Sequence, residues 1–417
     1  MHASRLVAVL LPLTLAACAS PTPPPKLAVP AVDLQAMRQD STFPQPPQLA
    51  PAVGFWRRVY AEWGRGQVAV HDDRYLDLVY QVATLPGPLS DSYSEEQRAY
   101  VRSLRESWQY RLAELERKQR YNLPLTAEEQ ALAGRIAAVG GPQALFGASE
   151  RVRTQRGMRE RFKRGVEISG RYDAVFRQIF REHGLPEDLA FLPHVESSFQ
   201  PHARSSADAV GMWQFTLGAA RRYMNLNAAV DERLDPVAAA RGAARYLADA
   251  HASLGSWPLA LTSYNHGVGG MKRAREQFGD DFARIVAEYD GRYFGFASRN
   301  FYAEFLAARE IARDPQRFFP EGVRLEPPLS LDRVVLQNPV PSRALAGHYR
   351  LDLGTLAALN PAWTPAAASG RLPLPAGTEV WLPSGTLARL GSGSGAGSLA
   401  MSELRRASAT IGAGSAQ

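Results

Sequence analysis

Helix signals recur from residue 165 to residue 314 while strand signals are nearly absent, and this block sets the strongest limit on the fold. Pro186, followed by Glu187 and Asp188, is predicted to begin one helix, because proline suits the first turn and carboxylates suit the positive end of a helix. Asp235 and Pro236 open another helix in a similar way. Apolar side chains then recur at helical spacing, with Leu189, Leu192 and Val195 in the first helix and Ala239, Ala243, Leu247 and Ala250 in the second. The sequence therefore predicts an all-α domain here.

The segments that flank this block have different patterns. Residues 55–164 are predicted to be a helical extension, because they carry a stripe at i, i+4 spacing formed by Tyr100, Leu104, Trp108, Leu112 and Leu115. Residues 331–384 combine two short strand patterns with two short helix patterns, which predicts a small βααβ unit. Residues 385–417 are mainly glycine, serine and alanine and are predicted to be a disordered tail. The predicted fold class is mainly α.

The first 18 residues have the pattern of a bacterial export signal. Arg5 precedes an apolar stretch that is too short to span a bilayer as a helix, which needs about 20 residues. The run Leu15-Ala16-Ala17-Cys18 resembles a lipobox, whose cysteine is lipidated and becomes the mature N-terminus. An ordinary signal peptide is the alternative, but Cys18 is the only cysteine in the sequence, so no disulfide competes for it. By resemblance to such lipoproteins, Ala19 favours the outer membrane, and the Pro-rich residues 19–54 are predicted to be a tether.

One constellation of residues in the helical block is suited to chemistry. It comprises, in chain order, Glu196-Ser197, Ser205, Gly211-Met212-Trp213-Gln214, Ser263-Tyr264-Asn265-His266-Gly267 and Tyr302. In this order and spacing the residues resemble the soluble-lytic-transglycosylase family, glycoside hydrolase family 23. Phe191-Leu192-Pro193 and the long segment ahead look most like its membrane-bound D type. The resemblance covers about residues 165–314 and implies a lysozyme-like, all-α catalytic domain that acts on peptidoglycan glycan strands.

Glu196 is the predicted catalytic residue. Cleavage of a β-1,4 glycosidic bond needs a carboxylic acid that protonates the leaving oxygen, and an apolar setting keeps that acid protonated near neutral pH. The resemblance implies that Glu196 acts first as acid and then as base, so that the C6 hydroxyl of N-acetylmuramic acid closes a 1,6-anhydro ring without water. A lysozyme-like hydrolase and a non-catalytic peptidoglycan-binding scaffold are the alternatives. The motif contains no second carboxylate, but Asp231 or Glu232 stays open as an acid recruited from elsewhere.

The resemblance also implies substrate-binding roles for six further residues: Ser197, Ser205, Gln214, Tyr264, Asn265 and Tyr302. Most of them have a structural alternative. Ser197 is equally compatible with a helix-end cap, Gln214 with a buried structural amide, and Tyr264 with a core position. In relatives the counterpart of Tyr302 reaches the catalytic glutamate with its hydroxyl, and a plain core aromatic is the alternative here. Asp208 and His266 depart from the usual residues of the family.

The net charge of +7 and the pI of about 9.6 favour an anionic partner. Export argues against nucleic acid, whereas peptidoglycan, with its lactyl and peptide carboxylates, is an anionic polymer in the right compartment. Residues 151–164 hold seven basic residues and one acid, Glu160, so a solvated helix face is the simpler interpretation and a basic rim facing the substrate is the alternative. His194 is predicted to be a hydrogen-bonded histidine at the surface or the rim of the site. No cofactor or metal is expected, since no His-Glu-x-x-His motif occurs.

The C-terminal unit resembles a divergent LysM module, a fold that binds polymers of N-acetylglucosamine. Leu356-Ala357-Ala358-Leu359-Asn360-Pro361 and Pro375-Ala376-Gly377-Thr378 carry this resemblance. The Gly-Asp-Thr-Leu run that usually follows the first strand is replaced by Val340-Pro341-Ser342-Arg343, so a spacer without sugar binding is the alternative. Together, these patterns predict a periplasmic protein that is anchored to the outer membrane through lipid on Cys18.

Overall fold

The computed structural model describes residues 40–391. The predicted signal peptide over residues 1–18, with the lipidation site Cys18, and the residues after Gly391 lie outside this range. Within the described range the chain is mainly helical and adds two small antiparallel sheets, which confirms the predicted fold class. No helix in the described part of the chain is both long enough and apolar enough to cross a lipid bilayer.

The N-terminal part combines helices with a three-stranded sheet. Its elements are α1 (Ala50–Ala61), β1 (Gln67–Asp72), β2 (Val79–Thr84), α2 (Glu95–Arg120), α3 (Ala127–Gly140) and β3 (Val152–Arg156). β1 lies in the middle and pairs antiparallel with both other strands. The segment predicted to be a helical extension, residues 55–164, therefore also contains a three-stranded sheet, which the sequence analysis did not predict. Because β1 is buried on both faces, it lacks the alternation of apolar and polar residues by which a strand is usually recognised.

Residues 40–54 belong to the folded core, so the predicted tether over residues 19–54 is wrong for this part. A 3-10 turn at Pro47–Leu49 leads directly into α1. Phe43 is 1% exposed and packs against the ring of Trp257. The prolines near the helix start, which suggested a tether, stand in first turns, where the missing N–H has no helical partner to lose.

The helical block follows β3 in the sequence. Its elements are α4 (Arg159–Ser169), α5 (Asp173–Glu182), α6 (Leu192–Glu196), α7 (Leu217–Tyr223), α8 (Pro236–Leu254), α9 (Trp257–His266), α10 (Val268–Phe278), α11 (Phe282–Glu288), α12 (Phe296–Arg313) and α13 (Pro315–Phe318). α12 packs against α1, α6 and α9, and most of its residues are buried. α12 therefore contributes side chains to the interior of the block, although it comes late in the sequence.

The helix predicted to begin at Pro186 is interrupted. Glu187–Phe191 forms a 3-10 turn, and α6 begins only at Leu192. Pro193 stands in the first turn of α6, where its nitrogen has no hydrogen to donate to the preceding turn. The chain therefore changes from 3-10 to α geometry at this point, and the short α6 ends at Glu196.

The C-terminal unit has the predicted βααβ order with additional short helices. Its elements are β4 (Leu331–Val335), α14 (Ser342–Tyr349), α15 (Leu353–Leu359), α16 (Pro365–Ala368), β5 (Glu379–Pro383) and α17 (Thr386–Gly391), and the two strands pair antiparallel. The predicted disordered tail from residue 385 is wrong for residues 386–391. The buried hydroxyl of Thr386 donates to the carbonyl of Pro383 at 2.6 Å and fixes the start of α17.

The C-terminal unit packs directly on the helical block. The indole nitrogen of Trp381 donates to a carboxylate oxygen of Asp235 at 2.6 Å, and Arg241 pairs with Glu379 at 2.7 Å. Val230 of the helical block lies in the apolar core of the C-terminal unit. These contacts fix the unit in one place on the block, which the sequence patterns did not predict.

Candidate active site

Glu196 is the last residue of α6 and is surrounded by three other helices. α6 packs on α12, and the charge of Glu196 acts on Tyr60 of α1 and Tyr264 of α9. The residue keeps part of its surface exposed, so a ligand can reach its side chain. A glutamate in this position combines access from solvent with a largely apolar, low-dielectric surrounding.

The setting of Glu196 favours its protonated form. Desolvation by burial, and in second place the neighbouring carboxylate of Glu304, raise the pKa of Glu196 from 4.5 to about 8. A carboxyl group with this pKa keeps its proton at neutral pH. It can therefore donate a proton to a leaving oxygen, which is what a general acid in glycoside cleavage must do.

A second carboxylate, Glu304 of α12, lies near Glu196 and was missed in the sequence. Burial raises its pKa to about 8, and a hydrogen bond from the Tyr60 hydroxyl, at 3.5 Å from Oε2, opposes this rise. The available signal was a single carboxylate within the otherwise apolar run from Phe301 to Ala308. Because no motif marks Glu304 and 244 positions separate it from Tyr60, only the fold brings these groups together.

The two acids that the sequence left open are engaged elsewhere. Asp231 pairs with Arg233 at 2.8 Å, and Glu232 accepts hydrogen bonds from the backbone and side chain of Asn225, both at 2.8 Å. Neither is among the charges that act on Glu196. Glu304 is therefore the carboxylate that accompanies Glu196.

The turn after Glu196 is held in an unusual backbone conformation. Ser198 and Phe199 both have positive φ angles, of 53° and 56°, which side chains other than glycine rarely adopt. The Ser197 hydroxyl donates to the carbonyl of Met212 at 2.8 Å and ties this turn to the following loop. Ser197 thus contacts backbone carbonyl groups, and within residues 40–391 it forms no hydrogen bond to the Glu196 carboxylate.

The loop from residue 203 to residue 215 contains Ser205 and Gln214, and both stabilise its shape. The Ser205 hydroxyl accepts hydrogen bonds from the backbone N–H groups of Ala207 and Ala209 at 3.2 and 3.1 Å. The Gln214 amide nitrogen donates to the carbonyls of Ala203 and Gly211 at 3.1 and 2.8 Å. Both residues are partly exposed, so their structural bonds leave surface free for a ligand.

Gly211 cannot be replaced in this loop without moving the backbone. Its φ is 80°, and a Cβ there would overlap the carbonyl oxygen of Arg233. Gly211 therefore allows a close approach of two backbone segments. The same contact links the loop to the segment that leads into α8.

Tyr264 and Asn265 lie near the end of α9. The Tyr264 hydroxyl donates to the carbonyl of Trp213 at 2.9 Å, and the charge of Glu196 helps to raise the pKa of Tyr264, after burial as the main cause. Asn265 is exposed, and its side-chain oxygen accepts a hydrogen bond from Ser298 at 2.7 Å. This bond orients the Asn265 amide while the side chain stays accessible.

Tyr302 does not reach the site, so its predicted role is corrected. The side chain is fully buried, and its hydroxyl donates to the carbonyl of Pro44 at 2.9 Å. Its ring packs edge-on against Phe282. The core alternative applies because the N-terminal residues, which the sequence assigned to a tether, cover this face of α12.

His194 is also corrected, because it is neither at the surface nor hydrogen-bonded. It is fully buried between the rings of Phe162 and Phe199, and neither ring nitrogen has a partner in the described part of the chain. Burial lowers its pKa to about 3, so the imidazole is neutral. His194 therefore adds no positive charge near Glu196.

Asp208 and His266, the two residues that depart from the usual pattern, each contact a neighbouring side chain. Asp208 is exposed and pairs with Arg204 at 2.5 Å. His266 packs edge-on against Phe294, and burial lowers its pKa. Neither residue acts on the charge of Glu196.

Part of the chain that contains these residues is similar to a known protein family. Residues 174–285 match the family described as Transglycosylase SLT domain. This part of the chain is therefore similar to the transglycosylase SLT domain family. The matched residues include Glu196, Gln214 and Asn265, whereas Tyr60 and Glu304 come from helices outside the match.

Individual relatives support the same assignment. The chain is 27% identical over 190 residues to membrane-bound lytic murein transglycosylase D of Escherichia coli, which covers 43% of this chain and 40% of the relative. It is 36% identical over 115 residues to membrane-bound lytic murein transglycosylase F of Stutzerimonas stutzeri, covering 25% and 22%. The chain thus spans less than half the length of these curated relatives.

Among solved structures, an inactive mutant of the lytic transglycosylase Slt from Pseudomonas aeruginosa matches 37% of this chain and 25% of its own. The sequence identity is 20% and the TM-score is 0.28.

Proposed function

We propose that this protein is a peptidoglycan lytic transglycosylase that cleaves the β-1,4 bond between N-acetylmuramic acid and N-acetylglucosamine and leaves 1,6-anhydro-muramic acid ends. The observation that carries the proposal is the partly exposed Glu196, whose pKa burial raises to about 8, within residues that match the transglycosylase SLT domain. The lytic murein transglycosylases that resemble the chain support this choice of substrate.

In the proposed reaction, Glu196 donates its proton to the glycosidic oxygen as the bond from that oxygen to C1 of the muramic sugar breaks. The acetamido group of the same sugar stabilises the cationic C1. The Glu196 carboxylate then takes the proton of the C6 hydroxyl, whose oxygen bonds to C1 and closes the anhydro ring. The proton count of the enzyme is restored, and no water is consumed.

The surrounding residues affect the pKa of Glu196, hold the backbone beside it and offer a hydrogen bond to the substrate. Glu304 is a second carboxyl group near Glu196, and once it ionises its charge raises the pKa of Glu196 further, which favours the protonated starting state. Ser197, Ser205 and Gln214 stabilise the turn and loop beside the site. Asn265, oriented by Ser298 and exposed, is suited to hydrogen-bond a substrate amide.

A lysozyme-like muramidase is the second candidate, and Glu304 is the observation that favours it. Many glycosidases pair an acid with a second carboxylate that acts as nucleophile or activates water. Glu304 would take that role if it were ionised and faced the opposite side of the sugar ring. The two reactions differ in their products, so one experiment separates them.

We further propose that residues 1–18 direct export, that Cys18 is lipidated, and that the protein acts in the periplasm at the outer membrane. The C-terminal unit over residues 331–384 is proposed to be LysM-like and to bind N-acetylglucosamine polymers. Its fixed contact with the helical block would hold bound glycan at a constant distance from Glu196.

The decisive experiment is mass spectrometry of purified peptidoglycan digested by the protein without residues 1–18, beside the Glu196→Gln variant. Muropeptides ending in 1,6-anhydro-muramic acid, absent with the variant, are expected. Loss of the acid should lower the rate by about 100-fold or more. Reducible muramic ends would establish the muramidase instead, and no Glu196-dependent product would reject both enzymes.

A further inference from the structure

A basic cavity of about 530 Å³ opens next to the turn that follows Glu196. Its walls come from the loop at residues 90–91, the end of β3, the start of α4 and Gln200. The charged residues that line it are Arg65, Arg156, Arg161 and Arg164 against Asp91 and Glu160, so basic groups outnumber acids by four to two.

Two of these arginines are already committed to the fold. Arg156 donates three hydrogen bonds to the carbonyls of Arg65, Ser90 and Asp91, at 2.7 to 2.9 Å, and so builds one wall. Arg164 pairs with Glu167 and Glu326 at 3.3 and 2.5 Å. These arginines shape the cavity, but their guanidinium groups are already engaged by carbonyl and carboxylate oxygens of the protein.

The other two arginines have charge available. Within residues 40–391, Arg161 has no carboxylate partner, and its guanidinium donates only to the carbonyl of Ser197 at 3.3 Å. Arg65 reaches Asp91 at 3.9 Å, and both side chains are exposed, so this pair contributes little. The Glu160 carboxylate forms no ion pair with either arginine within residues 40–391, and one of its oxygens accepts the backbone N–H of Arg65 at 2.7 Å.

The position of Arg161 relates the cavity to the reaction. Its hydrogen bond to Ser197 places a cation one residue from Glu196, and Gln200 lines the same cavity four positions further on. In peptidoglycan the muramic sugar carries the peptide stem on its lactyl group, and the stem bears free carboxylates. A muramic sugar bound with C1 at Glu196 therefore projects its peptide beside the scissile bond.

We propose that this cavity binds a carboxylate of that peptide stem through Arg161 and Arg65, which makes the protein selective for peptide-bearing glycan. The inference rests on the proposed function, since it takes the muramic sugar to be bound at Glu196. Guanidinium groups suit the role because they offer paired donors to a carboxylate.

The test compares two substrates, intact peptidoglycan and glycan strands whose peptides have been removed by an N-acetylmuramyl-L-alanine amidase. The ratio of kcat/KM on the peptide-bearing substrate to that on the naked one should fall about three- to tenfold in Arg161→Ala and in Arg65→Ala. Arg161→Lys should restore part of the ratio. Arg102→Ala, which removes an exposed arginine from α2, is the matched control and should keep the wild-type ratio.

Arg161→Ala could lower the ratio by displacing the turn that follows Glu196, because Arg161 donates to Ser197. Arg65 does not contact this turn, so a lower ratio in Arg65→Ala reports the lost charge alone. An equal loss on both substrates in both variants, or no change in the ratio, would overturn the proposal.

A binding assay separates this inference from the proposed function. Isothermal titration of N-acetylmuramyl-L-alanyl-D-glutamate into the Glu196→Gln protein should give measurable binding, and adding Arg161→Ala and Arg65→Ala should weaken it about tenfold. The same ligand with its carboxyl groups amidated is the control and should bind as weakly. Equal binding of both ligands, or none of either, would reject the cavity as a peptide site even if glycan cleavage were demonstrated.

Discussion

Two carboxyl groups share one largely apolar site, and they differ in their hydrogen bonds. The Tyr60 hydroxyl donates to Glu304, which favours the ionised form of that residue. In the described part of the chain, no group donates to the Glu196 carboxylate. Glu304 is therefore the first of the pair to ionise, and Glu196 keeps the remaining proton. This asymmetry assigns the role of acid to Glu196 from physical grounds, without reference to any motif.

The first prediction concerns the pH dependence of the reaction. Glu304→Gln removes the negative charge that helps to hold the pKa of Glu196 near 8, so that pKa falls. Because the acid must be protonated, the alkaline limb of the kcat/KM profile on purified peptidoglycan should move to lower pH. Tyr60→Phe should move it in the same direction, since Glu304 then keeps its own proton to higher pH. Glu62→Gln, an exposed change at the end of α1, is the control, and an unmoved limb in Glu304→Gln would contradict the pairing.

The same pair predicts a dependence of stability on pH. Glu196 and Glu304 hold their protons in the folded protein to about pH 8, whereas in the unfolded chain they lose them near 4.5. Between these values the folded state binds more protons, so the free energy of unfolding contributed by the pair falls as the pH rises. Glu304→Gln removes one such group. Measured by calorimetry, its Tm relative to wild type should be at least about 2 °C higher at pH 8.5 than at pH 5. An equal difference at both pH values would show that Glu304 is not held neutral by the fold.

At the scale of secondary structure, α4 sets the position of the turn that carries Glu196. Gly165 faces this turn so closely that a Cβ there would lie 2.7 Å from the carbonyl oxygen of Ser198. Because that atom belongs to the backbone, it can yield only if the turn moves. The turn already has two residues at positive φ, so little freedom remains.

Gly165→Ala is therefore predicted to destabilise the protein by about 1–3 kcal/mol and to lower kcat, because the Glu196 carboxyl is displaced. The matched control is Gly134→Ala in α3, where a Cβ meets nothing within 4 Å. That change should stabilise the helix by about 0.5–1 kcal/mol and leave kcat unchanged. Denaturant unfolding and steady-state rates on peptidoglycan measure both quantities. Equal effects of the two substitutions would mean that the contact at Ser198 has no role.

The parts of the fold and of the candidate site that could be predicted from the sequence are those marked by residues close together in the chain. Glu196 and its loop were found because their order and spacing are local and resemble a known family. Glu304 and Tyr60 were not found, because no local motif marks either residue and only tertiary packing joins them. β1 was missed for a related reason, since burial on both faces removes the alternation that marks a strand.

At the scale of the whole molecule, the C-terminal unit is connected to the active-site loop by a series of contacts. The backbone N–H of Asp231 donates to the carbonyl of Ala362 at 2.7 Å, and Asp231 pairs with Arg233 at 2.8 Å. Arg233 donates to the carbonyl of Phe215 at 3.5 Å and lies against Gly211. We therefore expect a change in how the unit docks to alter the loop that holds Gln214.

The docking contact that best tests this connection is the bond from Trp381 to Asp235. One oxygen of Asp235 accepts the N–H groups of Val237 and Ala238 and begins α8, while the other accepts the Trp381 indole N–H. Trp381→Phe leaves the second oxygen buried without a donor, which should cost about 1–3 kcal/mol. Trp363→Phe is the matched control, because the indole nitrogen of Trp363 has no partner within residues 40–391.

If the C-terminal unit and the helical block fold as one body, calorimetry of wild type should show a single transition whose van't Hoff and calorimetric enthalpies agree. Trp381→Phe should move that whole transition to lower temperature by about 2–4 °C per kcal/mol lost, and Trp363→Phe should move it less. Activity should fall with Trp381→Phe at temperatures just below its Tm, since Arg233 links the interface to the loop. A separate early transition confined to the C-terminal unit, with kcat unaffected, would instead make the unit an independent module and remove its influence on the site.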